Sequence, residues 1–179
     1  MKKIQLKHGK FTLVDDIDFK SLNQNKWYIL FDRQKDRLSA VVRVVRKDGN
    51  KRSVFMHRQI LGVKPGEIVD HINHNPLDNR RENLRIVTHR QNCQNRRRNR
   101  NKKSSRFKGV FPSLNRWQAK MTIILLGKRH VLYLGCYSTE REAAEIYDRA
   151  SRDLYGDYSC LNFARNNDKL LAKGKGGRK

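Results

Sequence analysis

The stretch that decides the fold of the middle of the chain is Val69–Asn95, which reads VDHINHNPLDNRRENLRIVTHRQNCQN. Ile68 and Val69 are both β-branched and lie shortly before turn-forming residues, so they predict a short strand. The strand would carry Asp70 and His71 at its end. Residues 73–79 contain a proline among several Asn and Asp residues, so they predict a turn-rich loop.

The second half of this stretch predicts a strand and then a helix. Leu84-Arg85-Ile86-Val87 has the composition of a short strand. Thr88, with Gln91 three residues later, has the spacing of a capping box at a helix N-terminus. Together the two halves predict a ββα hairpin, that is, strand, loop, strand and helix.

The side chains that this hairpin brings together suit phosphodiester hydrolysis. That reaction needs a divalent ion at the phosphate and a base that activates water. Asp70 and the side-chain carbonyl of Asn92 would suffice for a hard ion such as Mg²⁺, which retains much of its water. His71 would be available as a general base near neutral pH.

These residues and their spacing resemble the HNH nuclease motif of phage and intron-encoded homing endonucleases. Asp70-His71 is followed by Asn83 after twelve residues and by Asn92 after nine more, and a His57-Arg58 pair precedes the motif. The resemblance implies a ββα-metal core in which His71 is the general base. It further implies that Asp70 and Asn92 bind one divalent ion, Mg²⁺ or Mn²⁺, and that Asn83 braces the loop.

Three positions near the motif have alternatives. Asn95, one helical turn after Asn92, competes with it as the metal ligand, although the spacing favours Asn92. His57 fits a structural hydrogen bond and a phosphate contact equally well. His74 lies in the turn and is expected to be exposed rather than catalytic.

The charge of the chain points to a polyanionic partner. Lys and Arg number 41 and Asp and Glu 17 in 179 residues, which gives a net charge of +24. Nucleic acid is the leading candidate and a membrane surface the second. Residues 96–105 predict a basic linker and residues 164–179 a basic, disordered tail. A basic run is usually a solvated face, but at this net charge we expect phosphate contacts from Arg96, Arg97, Arg98 and Arg100.

Residues 106–163 predict an independent sheet-and-helix unit. Three apolar-aromatic segments, at 107–111, 116–125 and 130–137, are separated by turn residues. Thr139 and Glu142 form a second capping box, after which apolar residues recur at helical spacing. The pattern predicts three antiparallel strands with one helix across them.

This unit resembles the APETALA2/ethylene-response-factor DNA-binding domain. The matching segments are Phe107–Val110, Arg116–Met121, Tyr133–Tyr137, Thr139–Ala150 and Leu161–Phe163. The resemblance implies a sheet that lies in the major groove of double-stranded DNA. On it the candidate contacts are Lys108, Arg116, Trp117, Lys120 and Tyr133, of which Trp117 and Tyr133 fit sheet packing equally well. Fewer strand arginines than in plant members predict fewer guanine contacts.

Several classes of protein are excluded or disfavoured. The chain has no apolar run long enough to span a membrane and no signal-peptide core at its N-terminus. Its three cysteines are widely spaced, which predicts reduced thiols in the cytoplasm rather than disulfides or a zinc site. The aromatic stacking motif of ribonucleoprotein strands is missing, which disfavours an RNA-binding protein.

The sequence as a whole predicts an α+β protein with a β-rich region and nuclease core at 1–95, a linker at 96–105, a DNA-binding domain at 106–163 and a tail. The expected function is a site-specific, metal-dependent DNA endonuclease of HNH homing type, from a phage or other mobile element, that leaves 5′-phosphate and 3′-hydroxyl ends. No obligatory protein partner is expected. The alternative is a non-catalytic DNA-binding regulator that uses the HNH core as a scaffold.

Overall fold

The computed structural model describes residues 1–32, 37–47, 50–97 and 105–163. The chain divides into two compact units, Met1–Asn92 and Cys93–Lys179. The described residues of both units combine antiparallel sheet with helix, so the mixed α+β class is confirmed. Of the helices in these ranges, none has the length and apolar character needed to cross a membrane.

The first unit begins with a hairpin whose inner face is buried. Strand β1 (Lys2–Gln5) pairs antiparallel with β2 (Phe11–Val14), a 3-10 turn separates them, and helix α1 (Asp16–Leu22) follows. In β2, Thr12 and Val14 are fully buried. Because side chains alternate along a strand, these two residues face the core together.

A three-stranded antiparallel sheet and a short helix follow. The strands are β3 (Tyr28–Asp32), β4 (Arg37–Lys47) and β5 (Asn50–Phe55), with β4 in the centre. Helix α2 (Met56–Leu61) begins directly at the end of β5 and stops at Gly62, which has the left-handed φ of 62° common just after helices.

The stretch with which the sequence analysis began forms the last part of this unit up to Asn92, and its final residues belong to the second unit. Strand β6 (Ile68–His71) pairs antiparallel with β7 (Leu84–Val87), and helix α3 (His89–Gln94) follows. The capping box is present, since Gln91 N donates to Thr88 Oγ1 at 3.2 Å and Thr88 N donates to Gln91 Oε1 at 2.9 Å.

The core of the first unit collects apolar side chains from nearly all of these elements. It is built from Ile4, Leu6, Val14, Leu22, Trp27, Val41, Met56, Ile60 and Leu84. Strand β2 therefore packs in the same core as β7 and α2.

Over its described residues 105–163, the second unit has the three strands and the helix that the sequence predicts. The strands are β8 (Val110–Ser113), β9 (Arg116–Leu125) and β10 (Lys128–Tyr137), with β9 in the centre, and the helix is α4 (Glu140–Tyr155). Its core consists of Val110, Ala119, Ala143 and Ala144, with partly buried aromatic residues around them. The first strand starts at Val110, later than the predicted residue 107, and Phe107 packs against this core before the strand begins.

Two predicted segments lie partly or wholly outside the described residues: 98–104 of the basic linker, and the whole tail, 164–179. The domain boundaries at 95, 105 and 163 remain predictions.

Candidate functional site

Strand β6 ends in Asp70 and His71, the two residues that the sequence analysis singled out. The carboxylate of Asp70 forms an ion pair with the side chain of Arg85. In the register of the hairpin Asp70 lies opposite Arg85 on β7. Arg85 donates to Asp70 Oδ2 from Nε at 3.1 Å and from Nη2 at 2.9 Å. Both side chains are largely buried, at 12% and 15% exposure, so solvent screens this ion pair only weakly.

The loop between β6 and β7 is held together by Asn83. Its Oδ1 accepts from Asn73 N at 3.0 Å, and its Nδ2 donates to Asn73 Oδ1 at 3.0 Å and to Asp78 O at 2.7 Å. One buried amide thus links the end of the loop to its start at Asn73 and to its middle at Asp78. These hydrogen bonds restrain the loop that follows His71.

Asp78 adds a second set of bonds within the loop. Its two carboxylate oxygens accept from Arg80 Nε and Nη2, both at 2.7 Å, and Oδ2 also accepts from Asn73 Nδ2 at 2.8 Å. The bonds from Arg80 are the main reason why the pKa of Asp78 is lowered. Asn79, which lies between Asp78 and Arg80 in the chain, is fully buried.

The ring of His71 is oriented by the amide of Asn79. His71 Nε2 lies 3.1 Å from Asn79 Oδ1, while Asn79 Nδ2 donates to Pro76 O at 3.1 Å and to Thr12 Oγ1 at 2.9 Å. Pro76 O is a backbone carbonyl, which only accepts, so this bond favours the orientation with the amide nitrogen towards Pro76 and the amide oxygen towards His71. His71 therefore donates from Nε2, and in the neutral ring the lone pair is on Nδ1.

The protonation of His71 is biased towards the neutral form. Burial lowers the pKa of His71 below its ordinary value, against the opposing effects of the Asn79 bond and of the carboxylates of Asp70 and Asp78. A neutral imidazole in one fixed tautomer can take a proton from a water molecule, as a general base must.

His57 is a second histidine beside this ring. The two imidazoles are in edge-to-face contact, with centroids 5.3 Å apart. Burial, followed by the nearby His71, lowers the pKa of His57 to about 4. Its Nδ1 is buried without a hydrogen-bond partner in the described part of the chain. Of its two predicted roles, a structural hydrogen bond through Nδ1 is thus not seen.

The two alternative helix ligands differ in exposure. Asn92 lies in α3 and is partly exposed, and its backbone N–H donates to Thr88 O at 3.0 Å. Asn95 follows the helix and is only 3% exposed. The choice of Asn92 as the metal ligand stays a prediction from the spacing.

The donor set expected for a metal ion consists of one carboxylate and one amide oxygen. Across the described ranges, no group of three or more His, Cys, Asp and Glu side chains could hold a metal ion. Asp70 and Asn92 supply hard oxygen donors, which fit an ion that binds few protein ligands and retains water. Arg85, already bonded to Asp70, would share that carboxylate with the ion.

In the second unit, the outer face of the sheet carries some of the predicted DNA contacts. Ala119 and Met121 of β9 are buried, so their neighbour Lys120 faces outward, and in the register of the sheet it lies opposite Tyr133, which is 60% exposed. Arg116 is exposed at the start of β9, and its Nη2 donates to Cys136 O at 3.2 Å.

Two other predicted contacts lie elsewhere. Trp117 packs against the core under the sheet. Of the two roles left open for this residue, sheet packing and DNA contact, the structure shows sheet packing. Lys108 Nζ donates to Gln94 O at 2.7 Å, and burial lowers the pKa of Lys108. Of the linker arginines, Arg96 and Arg97 are exposed, while Arg98 and Arg100 lie outside the described residues.

The sequence analysis missed three residues of the first unit that contact the predicted site: Thr12, Asn79 and Arg85. Arg85 could have been found from the register of the β6–β7 hairpin. Thr12 is 67 residues from Asn79, and no local pattern indicates that they meet.

Comparisons with known proteins agree with the two resemblances. Residues 54–94 match the family model described as HNH endonuclease. An uncharacterized HNH endonuclease of Acanthamoeba polyphaga mimivirus is 34% identical over 110 residues, which are 60% of this chain and 54% of that protein. The chain thus spans about half the length of this relative.

A second relative matches a shorter part of the chain. APETALA2-like protein 2 of rice, from both the indica and the japonica subspecies, is 46% identical over 61 residues, which are 34% of this chain and 14% of that protein. No solved structure matches the chain significantly. The family match supports an HNH endonuclease domain in residues 54–94, and the mimivirus relative is described as an HNH endonuclease.

Proposed function

We propose that the chain is a site-specific, metal-dependent DNA endonuclease of HNH homing type, with a ββα-metal core. The observation that carries the proposal is the environment of His71. This partly buried histidine lies at the end of β6 beside Asp70, and Asn79 holds its ring so that Nδ1 has the lone pair. Such a group suits the activation of water next to a phosphate.

The roles of the other residues follow from their donor chemistry. Asp70 and Asn92 would hold one Mg²⁺ or Mn²⁺ ion, which when bound stabilises charge on the phosphate and the leaving oxygen. His71 would take the proton of the attacking water at Nδ1. Asn83 would keep the loop in shape through its bonds to Asn73 and Asp78. Attack at phosphorus with release of the 3′ oxygen would leave 5′-phosphate and 3′-hydroxyl ends.

The second unit is proposed to bind the duplex. Its similarity to a plant APETALA2-like protein supports a sheet that docks in the major groove. The outward Lys120, Arg116 and Tyr133 supply charge and aromatic surface there. The exposed Arg96 and Arg97 would add phosphate contacts, and the net charge of +24 makes strong salt dependence the expected behaviour.

The test is cleavage of supercoiled plasmid and of a phage genome at low salt, with Mg²⁺, Mn²⁺ or EDTA. We expect metal-dependent nicking or linearisation by the wild-type protein and by His89→Gln, an exposed control. His71→Ala should lose cleavage and still shift DNA on a gel. Binding without cleavage of either substrate, with any metal, would instead favour the regulator with an HNH scaffold.

A further inference from the structure

We infer that Thr12, on strand β2, is a positioning residue for His71 that acts through Asn79. The inference rests on the proposed nuclease function. Thr12 lies outside residues 54–94, the part that matches the HNH endonuclease family. The N-terminal hairpin would thus be a working part of the active site and not only a support for the core.

The direction of the hydrogen bonds carries the argument. The Thr12 hydroxyl has one hydrogen, and Leu77 O, 2.8 Å away, can only accept it. The thioether of Met56, at 4.0 Å, is a far weaker acceptor. With its hydrogen committed to Leu77, Thr12 Oγ1 must act as an acceptor at its second contact.

That second contact is the amide of Asn79. Its Nδ2 lies 2.9 Å from Thr12 Oγ1 and donates to it, which turns Oδ1 towards His71 Nε2 at 3.1 Å. The chain of donors therefore runs from His71 to Asn79, from Asn79 to Thr12 and from Thr12 to Leu77. Reversing the amide would break the bond to Thr12 and place an oxygen against Pro76 O.

Burial makes the hydroxyl hard to replace. Thr12 and Asn79 are both fully buried, so bulk water does not reach an amide hydrogen that has lost its acceptor. Pro76 O accepts one amide hydrogen, at 3.1 Å, and Thr12 Oγ1 accepts the other at a shorter distance. Without Thr12 the amide keeps only one of its two acceptors, and the orientation of its oxygen towards His71 is less strictly determined.

Strand β2 also fixes the backbone of the same loop. Leu13 N donates to Leu77 O, and Asn79 N donates to Leu13 O, both at 2.8 Å. These bonds involve only main-chain atoms, so a side-chain change at Thr12 leaves them intact. Thr12→Val, which replaces the hydroxyl by a methyl group of similar size, therefore tests the hydroxyl alone.

The first experiment is nitrogen-15 NMR of the histidine rings in the full chain at pH 8, without DNA or metal. His71→Gln assigns the His71 signals by their loss. We expect the wild type and Thr12→Ser to show the tautomer with hydrogen on Nε2. Thr12→Val should show a mixture of tautomers or broadened signals, whereas Ser21→Ala, which loses a hydroxyl elsewhere in this unit, should match the wild type.

The second experiment is single-turnover cleavage by the same variants. Thr12→Val should cut roughly 10- to 100-fold more slowly with unchanged DNA affinity, by analogy with the effect of losing the orienting partner of a metal-ligating histidine. Thr12→Ser should recover most of the rate.

A Thr12→Val protein with the wild-type tautomer signals would overturn the inference, and so would a Thr12→Ser protein as impaired as Thr12→Val. The NMR result does not depend on cleavage. If the wild type cuts no DNA but Thr12→Val changes the His71 tautomer, the positioning role stands and the nuclease proposal fails.

Discussion

The ring of Tyr147 on helix α4 occupies the space beside Gly109, just before strand β8. A Cβ atom added to Gly109 would lie 1.9 Å from Tyr147 Cδ2 and 2.8 Å from the backbone oxygen of Lys120. Gly109 also has a φ of +75°, in the left-handed region. This close approach lets the buried Tyr147 cover the sheet.

We expect Gly109→Ala to destabilise the second unit by about 3 kcal/mol or more, because the methyl group cannot be accommodated without moving α4. Gly127 is a matched control. It has nearly the same φ, +73°, and nothing within 4 Å of its added Cβ. Gly127→Ala should cost only the backbone strain, about 1 kcal/mol.

Hydrogen exchange of peptides from β9 and α4, read by mass spectrometry, measures both costs in the full chain. Equal losses of protection in the two variants would mean that backbone strain, and not the contact with Tyr147, decides the effect.

The depressed pKa of His57 predicts a stability that depends on pH. Burial brings the pKa of His57 to about 4 in the folded protein, against an ordinary value of 6.5. Between these values the unfolded chain binds a proton that the folded chain does not. The contribution to stability is therefore complete above pH 6.5 and is lost as the pH falls towards 4, by on the order of 3 kcal/mol.

The measurement is urea denaturation between pH 8 and pH 4.5 in a Trp117→Phe background, where Trp27 reports on the first unit. His57→Phe should lose less stability on acidification than the His57 parent. Identical pH slopes in the two proteins would contradict the assignment. Comparing slopes between the proteins cancels the titration of the carboxylates that both contain.

The ion pair of Asp70 and Arg85 predicts how mutations at these two residues change the affinity of the protein for a divalent ion. Arg85 places a positive charge against Asp70 Oδ2 at 2.9 Å, and this charge repels a cation at the same carboxylate. Arg85→Gln should therefore bind Mn²⁺ several-fold more tightly without DNA. Asp70→Asn should bind it more weakly.

Electron paramagnetic resonance of free Mn²⁺ during titration gives these affinities. Arg81→Gln is the matched control, since Arg81 forms a comparable pair with Asp18 elsewhere in this unit. If Arg85→Gln and Arg81→Gln behave alike, Asp70 is not the carboxylate at which the ion binds.

The parts of the site that could be predicted from the sequence depend on local signals. The strand that ends in Asp70 and His71, the hairpin with β7 and the capping box of Thr88 and Gln91 involve residues close in the chain. Each follows from a turn, an alternation or a cap that a short window of sequence displays.

The parts that could not be predicted depend on tertiary packing. Asn79 meets Thr12 across 67 residues, and Arg81 meets Asp18 across 63. Lys108 shows the reverse case, since its place in a DNA-binding motif gives no sign that Gln94 O accepts from its ammonium group. A sequence pattern shows which side chains carry chemistry, but the packing decides which of them are engaged.

The outer face of the second sheet predicts how DNA affinity depends on salt. Lys120 projects from the central strand β9 opposite the exposed Tyr133, so we expect it to contact phosphate when the sheet is bound. Each phosphate contact releases about one counterion, and Lys120→Ala should therefore lower the slope of log affinity against log salt by about one. The measurement is fluorescence anisotropy of a labelled duplex between 50 and 300 mM salt, which are roughly the limits at which such binding stays measurable. Arg141→Ala is the control, because Arg141 lies on helix α4 and pairs with Glu145 at 2.9 Å. Its slope should equal that of the wild type, and a change as large as that of Lys120→Ala would mean that α4, and not the sheet, faces the duplex.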